Sequence, residues 1–517
     1  MSTPLALPAA IPHDGADLRA AAAGALAQRL SPKYLEEYCV LPLAVSDGGE
    51  ILVAAGEPLD PTTVDELAWT YGRPVRFVDA PAAEIHAAIL SAQTEGPAAA
   101  DADVKTGDLV VLSDEEETID DLRALASQGP VIRLVNVMIL EALRARASDI
   151  HLEAAPDGLR VRYRVDGVLH ENSHPPRQYQ AAVISRIKIM AGLNIAERRL
   201  AQDGRIRLRL TGRELDLRVS ITPTLHGESV VLRILDRAGG VRDLAELGMP
   251  PRVLDDFERL IRQPHGIVLV TGPTGSGKTT TLYGALQRLN RPGVKIVTVE
   301  DPVEYQIDGV TQIPVNPKVG LTFAAALRSI LRHDPDIVMV GEMRDRETAE
   351  IAIQAALTGH LVFSTLHTND AAGGITRMVD MGIEPYLVAA TVLGIAAQRL
   401  VRVVCESCAE EVRPPVALVA EASAGHPDIP KLRFRQGRGC DVCGGTGYRG
   451  RTGLYELMPM NDELRARVVA GAPLADIRAL ARERGMAPLR AAGWDKACAG
   501  TTTLEEVLRV TRDESVG

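Results

Sequence analysis

Aromatic residues are almost missing from this chain: 5 Phe, 10 Tyr and 2 Trp in 517 residues. Proteins that hold single-stranded nucleic acid stack bases on such rings, so the scarcity counts against that class. The core must be built mostly from Leu, Val, Ile and Ala. Long apolar runs are lacking as well. The stretch Leu387–Ala397 falls well short of the ~20 residues a helix needs to cross a bilayer. The Ala-rich start, Met1–Leu30, has no basic leader followed by an apolar block. No signal peptide is expected, and the protein is expected in the cytoplasm. Positive charge is in deficit: 57 Lys and Arg against 68 Asp and Glu give −11. Phosphate neutralisation dominates nucleic-acid affinity, so a nucleic-acid partner is not expected, although local basic patches remain compatible with this total.

Cysteine is sparse too, six in all. Cys39 and Cys498 stand alone and read as small core residues. The other four form two close pairs, Cys405 with Cys408 and Cys440 with Cys443, separated by 31 residues. In a chain with no export signal, such pairs point to a metal rather than to disulfides. Two C-x-x-C pairs can close a tetrahedral thiolate site for Zn²⁺, with no open position left for catalysis. The gap is longer than the commonest zinc-ribbon spacing, but loop closure costs entropy only logarithmically. Gly437, Gly439, Gly444, Gly445 and Gly447 around the second pair permit a tight knuckle.

The length exceeds one hydrophobic core, so about two to four domains are expected. Residues 1–90 contain a small α/β module, with strands expected at Ile51–Ala55 and Val75–Val78 and helices at Pro61–Tyr71 and Ala82–Leu90. It carries no catalytic constellation and reads as a docking or packing domain. Residues 91–128 are polar and acidic and read as a linker. From Pro130 the apolar positions Val131, Leu134, Val135, Met138, Ile139, Ala142 and Leu143 recur at helical spacing. Leu159, Val161, Tyr163 and Val165 then alternate with arginines in a half-buried strand. Further alternation over Ile206–Leu210 and Leu215–Ile221, then Val230–Leu235, makes an α+β domain over 129–238 with one arginine-rich sheet face. Such arginines usually pair with carboxylates on a solvated face. The sharper reading is that some reach across to a phosphate.

The strand Ile267–Val270 runs into Gly272, Pro273, Thr274, Gly275, Ser276, Gly277, Lys278 and Thr279, then into a helix through about Leu289. This is G-x-x-x-x-G-K-T in its required strand–loop–helix context. The glycines let backbone N–H groups turn around phosphate oxygens. Lys278 supplies charge to the outer phosphates, and the Thr279 hydroxyl is placed for Mg²⁺. Gly272–Thr280 is therefore the expected ATP-binding segment. Three later apolar strands end in chemistry-bearing residues: Lys295–Val299 before Glu300 to Glu304, Ile337–Val340 before Glu342, and Leu361–Leu366 before His367. Ligands of open α/β sheets lie beyond such strand ends, which argues for a nucleotide hydrolase.

From about Pro130 to about Met458 these residues resemble the secretion-ATPase superfamily, specifically the traffic ATPase (E component) of type II secretion. The match includes Ala147 to Glu153, the Walker A loop Gly272–Thr279, an aspartate box at Glu300–Glu304, an atypical Walker B at Ile337–Asp345, and a histidine box at Gly359–Thr368. The resemblance implies a RecA-like P-loop core over 239–517, a PAS-like middle domain and a zinc subdomain at about 400–450. It implies that Glu342 holds Mg²⁺ through water and that Glu304 orients the attacking water, with Glu300 and Asp301 shaping that corner. Spacing alone does not separate Glu304 from Glu342 in that role. His360 and His367 belong to the box that senses the γ-phosphate or orients a neighbouring domain, with a structural histidine the competing reading for His360. Arg218, Arg233, Arg328 and Arg332 match family arginines that neutralise phosphate charge. Arg328 and Arg332 are four apart on one helix face, and a solvated face is the competing reading for them.

The implied protein is a homohexameric ATPase that drives pseudopilus assembly and protein export. It would attach peripherally to the inner membrane through the L component, with the F component as second partner and acidic phospholipid as a possible surface. Assembly of a type IV pilus is the nearest alternative. No N-terminal repeat of the kind associated with cyclic-dinucleotide binding in some pilus motors is evident, which leans toward secretion. A nucleic-acid translocase using the cysteine knuckle as a finger is the alternative from another class.

Overall fold

The structure is a computed structural model. It describes residues 61–94, 110–111, 129–175, 177–210, 213–236, 240, 242–422 and 434–512, together with 18–56 in part. Two compact units divide at 103/104. In the first, Val40–Val45 pairs antiparallel with Ile51–Ala55, which pairs parallel with Val75–Asp79. The helix Pro61–Tyr71 makes the crossover, and Ala82–Thr94 follows. Val40, Leu41, Val53, Leu67 and Ile85 are sealed in its core beside Cys39. Most of the expected linker lies outside the described residues, but Val110–Val111 pairs with Leu208 and Arg209 in the second unit.

The second unit contains two seven-stranded sheets. The first is antiparallel, in the order 110–111, 202–210, 213–224, 227–236, 147–155, 158–165, 168–173. The helices Gly129–Arg144 and Arg177–Met190 pack on one another and on this sheet. Its apolar face buries Ile150, Leu152, Val161, Leu217, Val219 and Leu232 under the helical stripe Val131, Val135, Met138 and Ile139. Alternation sends the arginines to the other face. There Arg162 bonds Glu153, Arg205 bonds Asp216, and Arg164 and Arg233 share Asp149.

The second sheet runs 310–314, 296–300, 337–340, 361–366, 266–271, 392–404, 448–459. Every pair is parallel except the last. Parallel strands are buried on both faces, which is why Gly266–Thr271, Ile296–Glu300 and Leu361–Leu366 are buried throughout. Separate apolar cores lie on the two sides. The apolar run Leu387–Ala397 is divided between the helix Pro385–Thr391 and the strand Val392–Val404. Among the described residues no helix is long and apolar enough to cross a membrane.

The strand Val392–Val404 enters the cysteine knuckle at Cys405, and a two-stranded sheet, Ala409–Val412 with Phe434–Gly437, separates the cysteine pairs. The final helix Leu504–Thr511 is bolted to this strand through buried Glu506, which accepts from the Arg402 amide at 3.1 Å and its guanidinium at 2.8 Å, and from Arg509 at 2.7 Å. Arg402 also lies 3.9 Å from the Tyr448 ring centroid, a cation–π contact. Burial alone would raise the Glu506 carboxyl, but the two guanidiniums hold it down at about 2. A depressed carboxyl stabilises the fold above its unfolded value near 4.5 and loses that contribution as pH falls toward 2. Glu506→Gln should therefore cost about 3 kcal/mol at neutral pH and flatten stability across that acid window. Urea unfolding at a series of pH values measures both effects.

Candidate functional site

The P-loop strand Gly266–Thr271 is flanked by 361–366 and 392–404, and its loop opens at the carboxyl end of the sheet. Gly272 has φ +148°, and a Cβ there would meet the Gln398 carbonyl at 2.4 Å. Gly277 caps the next helix at φ +87°, with the Gln398 amide 2.8 Å from where a Cβ would sit. Glycine is thus required twice because the strand 392–404 roofs the loop. Gln398 is buried and accepts from the Thr281 hydroxyl at 2.8 Å.

Lys278 opens the helix Lys278–Leu289 and is buried. Its ammonium donates to the carbonyls of Gly272 at 2.7 Å and Pro273 at 3.0 Å. Burial pushes this amine down to about 8, with the Glu342 carboxylate opposing that shift and Arg399 adding to it. The Ser276 hydroxyl in the same loop is buried with no hydrogen-bond partner among the described residues. A buried, unmatched hydroxyl and an ammonium bonded only to carbonyls fit a loop built to receive phosphate oxygens. Thr279 and Glu342 supply hard oxygen donors, the chemistry Mg²⁺ prefers.

The acidic side of the cleft is assembled from neighbouring strand ends. Glu342 follows the strand Ile337–Val340, with Arg344 at 2.6 Å and the His367 Nε2 at 3.5 Å. Burial, reinforced by the Lys278 charge, holds the His367 imidazole below its ordinary value, against the pull of Glu342. Glu304 lies in the loop after Ile296–Glu300. Glu300 itself does not open toward solvent. It is buried and accepts from Tyr283, from Thr298 at 2.5 Å and from Gln312 at 3.2 Å.

The arginine sheet sends one residue into this corner. Across the register Arg205, Arg218, Arg233 and Asp149 stand in one row. Arg205 is neutralised by Asp216, and Arg233 by Asp149 with Nε–Oδ1 at 3.1 Å. Arg218 stands between two cations, Arg205 and Arg233. It reaches out of the domain, donating to the Val303 carbonyl at 3.1 Å, with Glu304 at 3.9 Å. Burial, with Arg233 adding to it, lowers its pKa against the pull of Glu304. The solvated-face reading thus describes Arg233, which stays within its sheet, and not Arg218.

Three further expected residues make other contacts. His360 precedes the strand Leu361–Leu366, whereas His367 follows it, so they stand at opposite ends. The His360 Nδ1–H donates to the Ala355 carbonyl at 2.9 Å, a helix-end bond that fits the structural reading. The helix carrying Arg328 is Phe323–Ile330, so Arg332 lies past its end and donates to the Arg328 carbonyl at 2.9 Å. The two do not share a helix face. Arg328 pairs with Glu347 at 2.6 Å, both exposed. Tyr283 and Gln312 belong to this corner and Gln398 to the roof of the loop, none of them within a motif, while Arg344 lies inside the Ile337–Asp345 box without a role read from it.

The four cysteines converge. Their sulfurs all lie within 4.8 Å of one another, with Cys405–Cys440 at 4.0, Cys408–Cys443 at 3.9 and Cys440–Cys443 at 3.8 Å. Thiolates about 2.3 Å from a tetrahedral Zn²⁺ stand about 3.8 Å apart, so the set fits the ion. Burial raises the Cys443 thiol, but amides of Cys440 and Gly447 aimed at its sulfur prevail and bring it to about 6.

Residues 124–509 match the family model described as type II/IV secretion system protein, and residues 9–98 match the MshEN domain, which the sequence reading did not name. Type II secretion system protein E of Xanthomonas campestris pv. campestris is 52% identical over 488 residues, covering 94% of this chain and 85% of that one. The type IV pilus assembly ATPase PilB of Myxococcus xanthus is 46% identical, covering 93% and 86%. Among solved structures, the pilus retraction motor PilT with bound ADP superposes with TM-score 0.52 at 27% identity, covering 74% of this chain and 98% of that one.

Proposed function

The chain belongs to the type II/IV secretion system protein family and is an ATPase, and from that premise we propose that it is the motor of a type II secretion system, driving pseudopilus assembly. The observation that carries this reading is the 52% identity to a secretion E protein over nearly the whole chain. Homohexameric assembly, attachment to the inner membrane through the L component, and contact with the F component belong to the same proposal. Capture of a pilus-platform protein instead of an L component in co-purification would transfer the motor to pilus assembly.

Phosphoryl transfer is catalysed mainly by positioning and by charge stabilisation. In the proposed mechanism the P-loop amides and Lys278 hold the outer phosphates, and Thr279, with Glu342 through water, would hold Mg²⁺, which would supply positive charge to the phosphate oxygens. Glu304 orients the attacking water, and Arg218 presents a guanidinium at the same corner. Arg233 stands beside Arg218 in the same row, its own charge paired with Asp149. Arg328 and Arg332, both exposed, are assigned to a neighbouring subunit's nucleotide.

Glu304→Gln keeps the shape of the side chain and removes its charge. It should cut turnover about a hundredfold or more while leaving ATP binding intact. Single-turnover hydrolysis beside nucleotide-binding titration checks this. Near-normal hydrolysis would move the water-orienting role to Glu342.

A further inference from the structure

Tyr283 is one of 10 tyrosines in the chain and is fully buried. It stands on the P-loop helix, five residues after Lys278. Its phenol donates to Glu300, at the end of the adjoining strand. The same oxygen accepts the backbone N–H of Glu304 and the amide of Gln312, each at 3.4 Å. Gln312 closes the network by donating to Glu300 and to the Tyr305 carbonyl, each at 3.2 Å, and accepting from the Ile307 amide at 2.8 Å. The Tyr305 ring meets the Tyr283 ring edge-on at 4.7 Å. Burial, then the Glu300 charge, raises the pKa of the phenol, so it remains a donor throughout the working range.

Glu304 sits in neither helix nor strand, so its position depends on what holds its backbone. Two supports are in place. The first is Arg218 on the Val303 carbonyl, from the antiparallel domain. The second is Tyr283 with Gln312, from within the motor itself. The helix that begins at the phosphate loop therefore also fixes the backbone under the proposed water-orienting carboxylate.

We propose that Tyr283 is a positioning residue for ATP hydrolysis, registering the Glu304 backbone against the P-loop helix through its phenolic oxygen. This rests on the reading of Glu304 given above. Tyr283→Phe retains the buried ring and the contact with Tyr305, but removes the acceptor for Glu304 and one donor to Glu300. Its effect should fall on the chemical step. In the full-length protein with MgATP, kcat should fall about tenfold to a hundredfold while KM for ATP stays within about twofold.

A double-mutant cycle separates positioning from general support. In the Glu304→Gln background, Tyr283→Phe should add little or nothing, because the carboxylate it positions is already absent. The same fractional loss in both backgrounds, a raised KM with kcat preserved, or an unchanged kcat would each overturn the proposal. Near-normal turnover of Glu304→Gln alone would overturn the reading beneath it, a different signature from additivity on top of a deep Glu304→Gln defect. If Tyr283→Phe fails to fold, Gln312→Leu tests the same network and should give the same kcat-only loss.

Discussion

Lys278→Ala should abolish measurable ATP turnover, a loss of about a thousandfold or more, while the protein stays folded. The ammonium is buried and satisfied only by two loop carbonyls. Removing it forfeits those bonds but also relieves the cost of burying a charge, so the thermal midpoint should shift by only about a few degrees. Arriving phosphates should take the ammonium from the carbonyls, and alanine offers them no charge at all. Because the free loop holds this amine near 8, ATP binding to the wild type above that pH should take up a proton as phosphate restores the charged form. Calorimetry in buffers of different ionisation enthalpy reads that uptake, and Lys278→Ala should not show it.

Zinc content should be close to one per chain in the wild type and close to zero in Cys408→Ser or Cys443→Ser. The corresponding changes at Cys39 and Cys498 should retain the metal, since those thiols lie outside the cluster. The cost should be several kcal/mol, because binding energy at a closed thiolate site is folding energy. Beyond the sulfurs, the knuckle is held by a two-stranded sheet whose Phe434 packs against Trp494 and Val507, and by backbone bonds such as Cys405 to Gly447 and Arg438 to Cys408. Elemental analysis beside thermal unfolding checks both halves. Full stability of metal-free Cys408→Ser would reduce the four thiols to a packing cluster.

The phosphate loop was legible because its chemistry is local: strand, glycines, lysine and helix follow one another without a gap. The carboxylate-bearing strand ends were legible for the same reason, as was the alternation that sorts arginines from the apolar core. What pairing does across strands was not. Arg218 and Arg233 look alike in sequence, and only the register shows one neutralised by Asp149 and the other crowded between cations. Two histidines within one box are separated by a six-residue strand, which carries the chain about 20 Å. Arg332 sits four residues from Arg328, yet the helix stops between them. Gln398 arrives at the P-loop from more than a hundred residues later, with no motif around it. Tyr283 is marked by no motif, only by the rarity of its ring in this chain. In a chain so poor in aromatics, a tyrosine on the phosphate-loop helix needs a reason to be there.

The strand Val392–Val404 touches the nucleotide loop at Gln398 and delivers Cys405 to the thiolate cluster. Extended backbone has no slack, and the seven steps between these residues span about 23 Å. The ladder with the neighbouring strand is irregular only between Arg402 and Val404. One extended segment therefore sets the spacing between the roof of the nucleotide loop and the thiolate cluster, and its irregular step falls where Glu506 and Tyr448 grip Arg402.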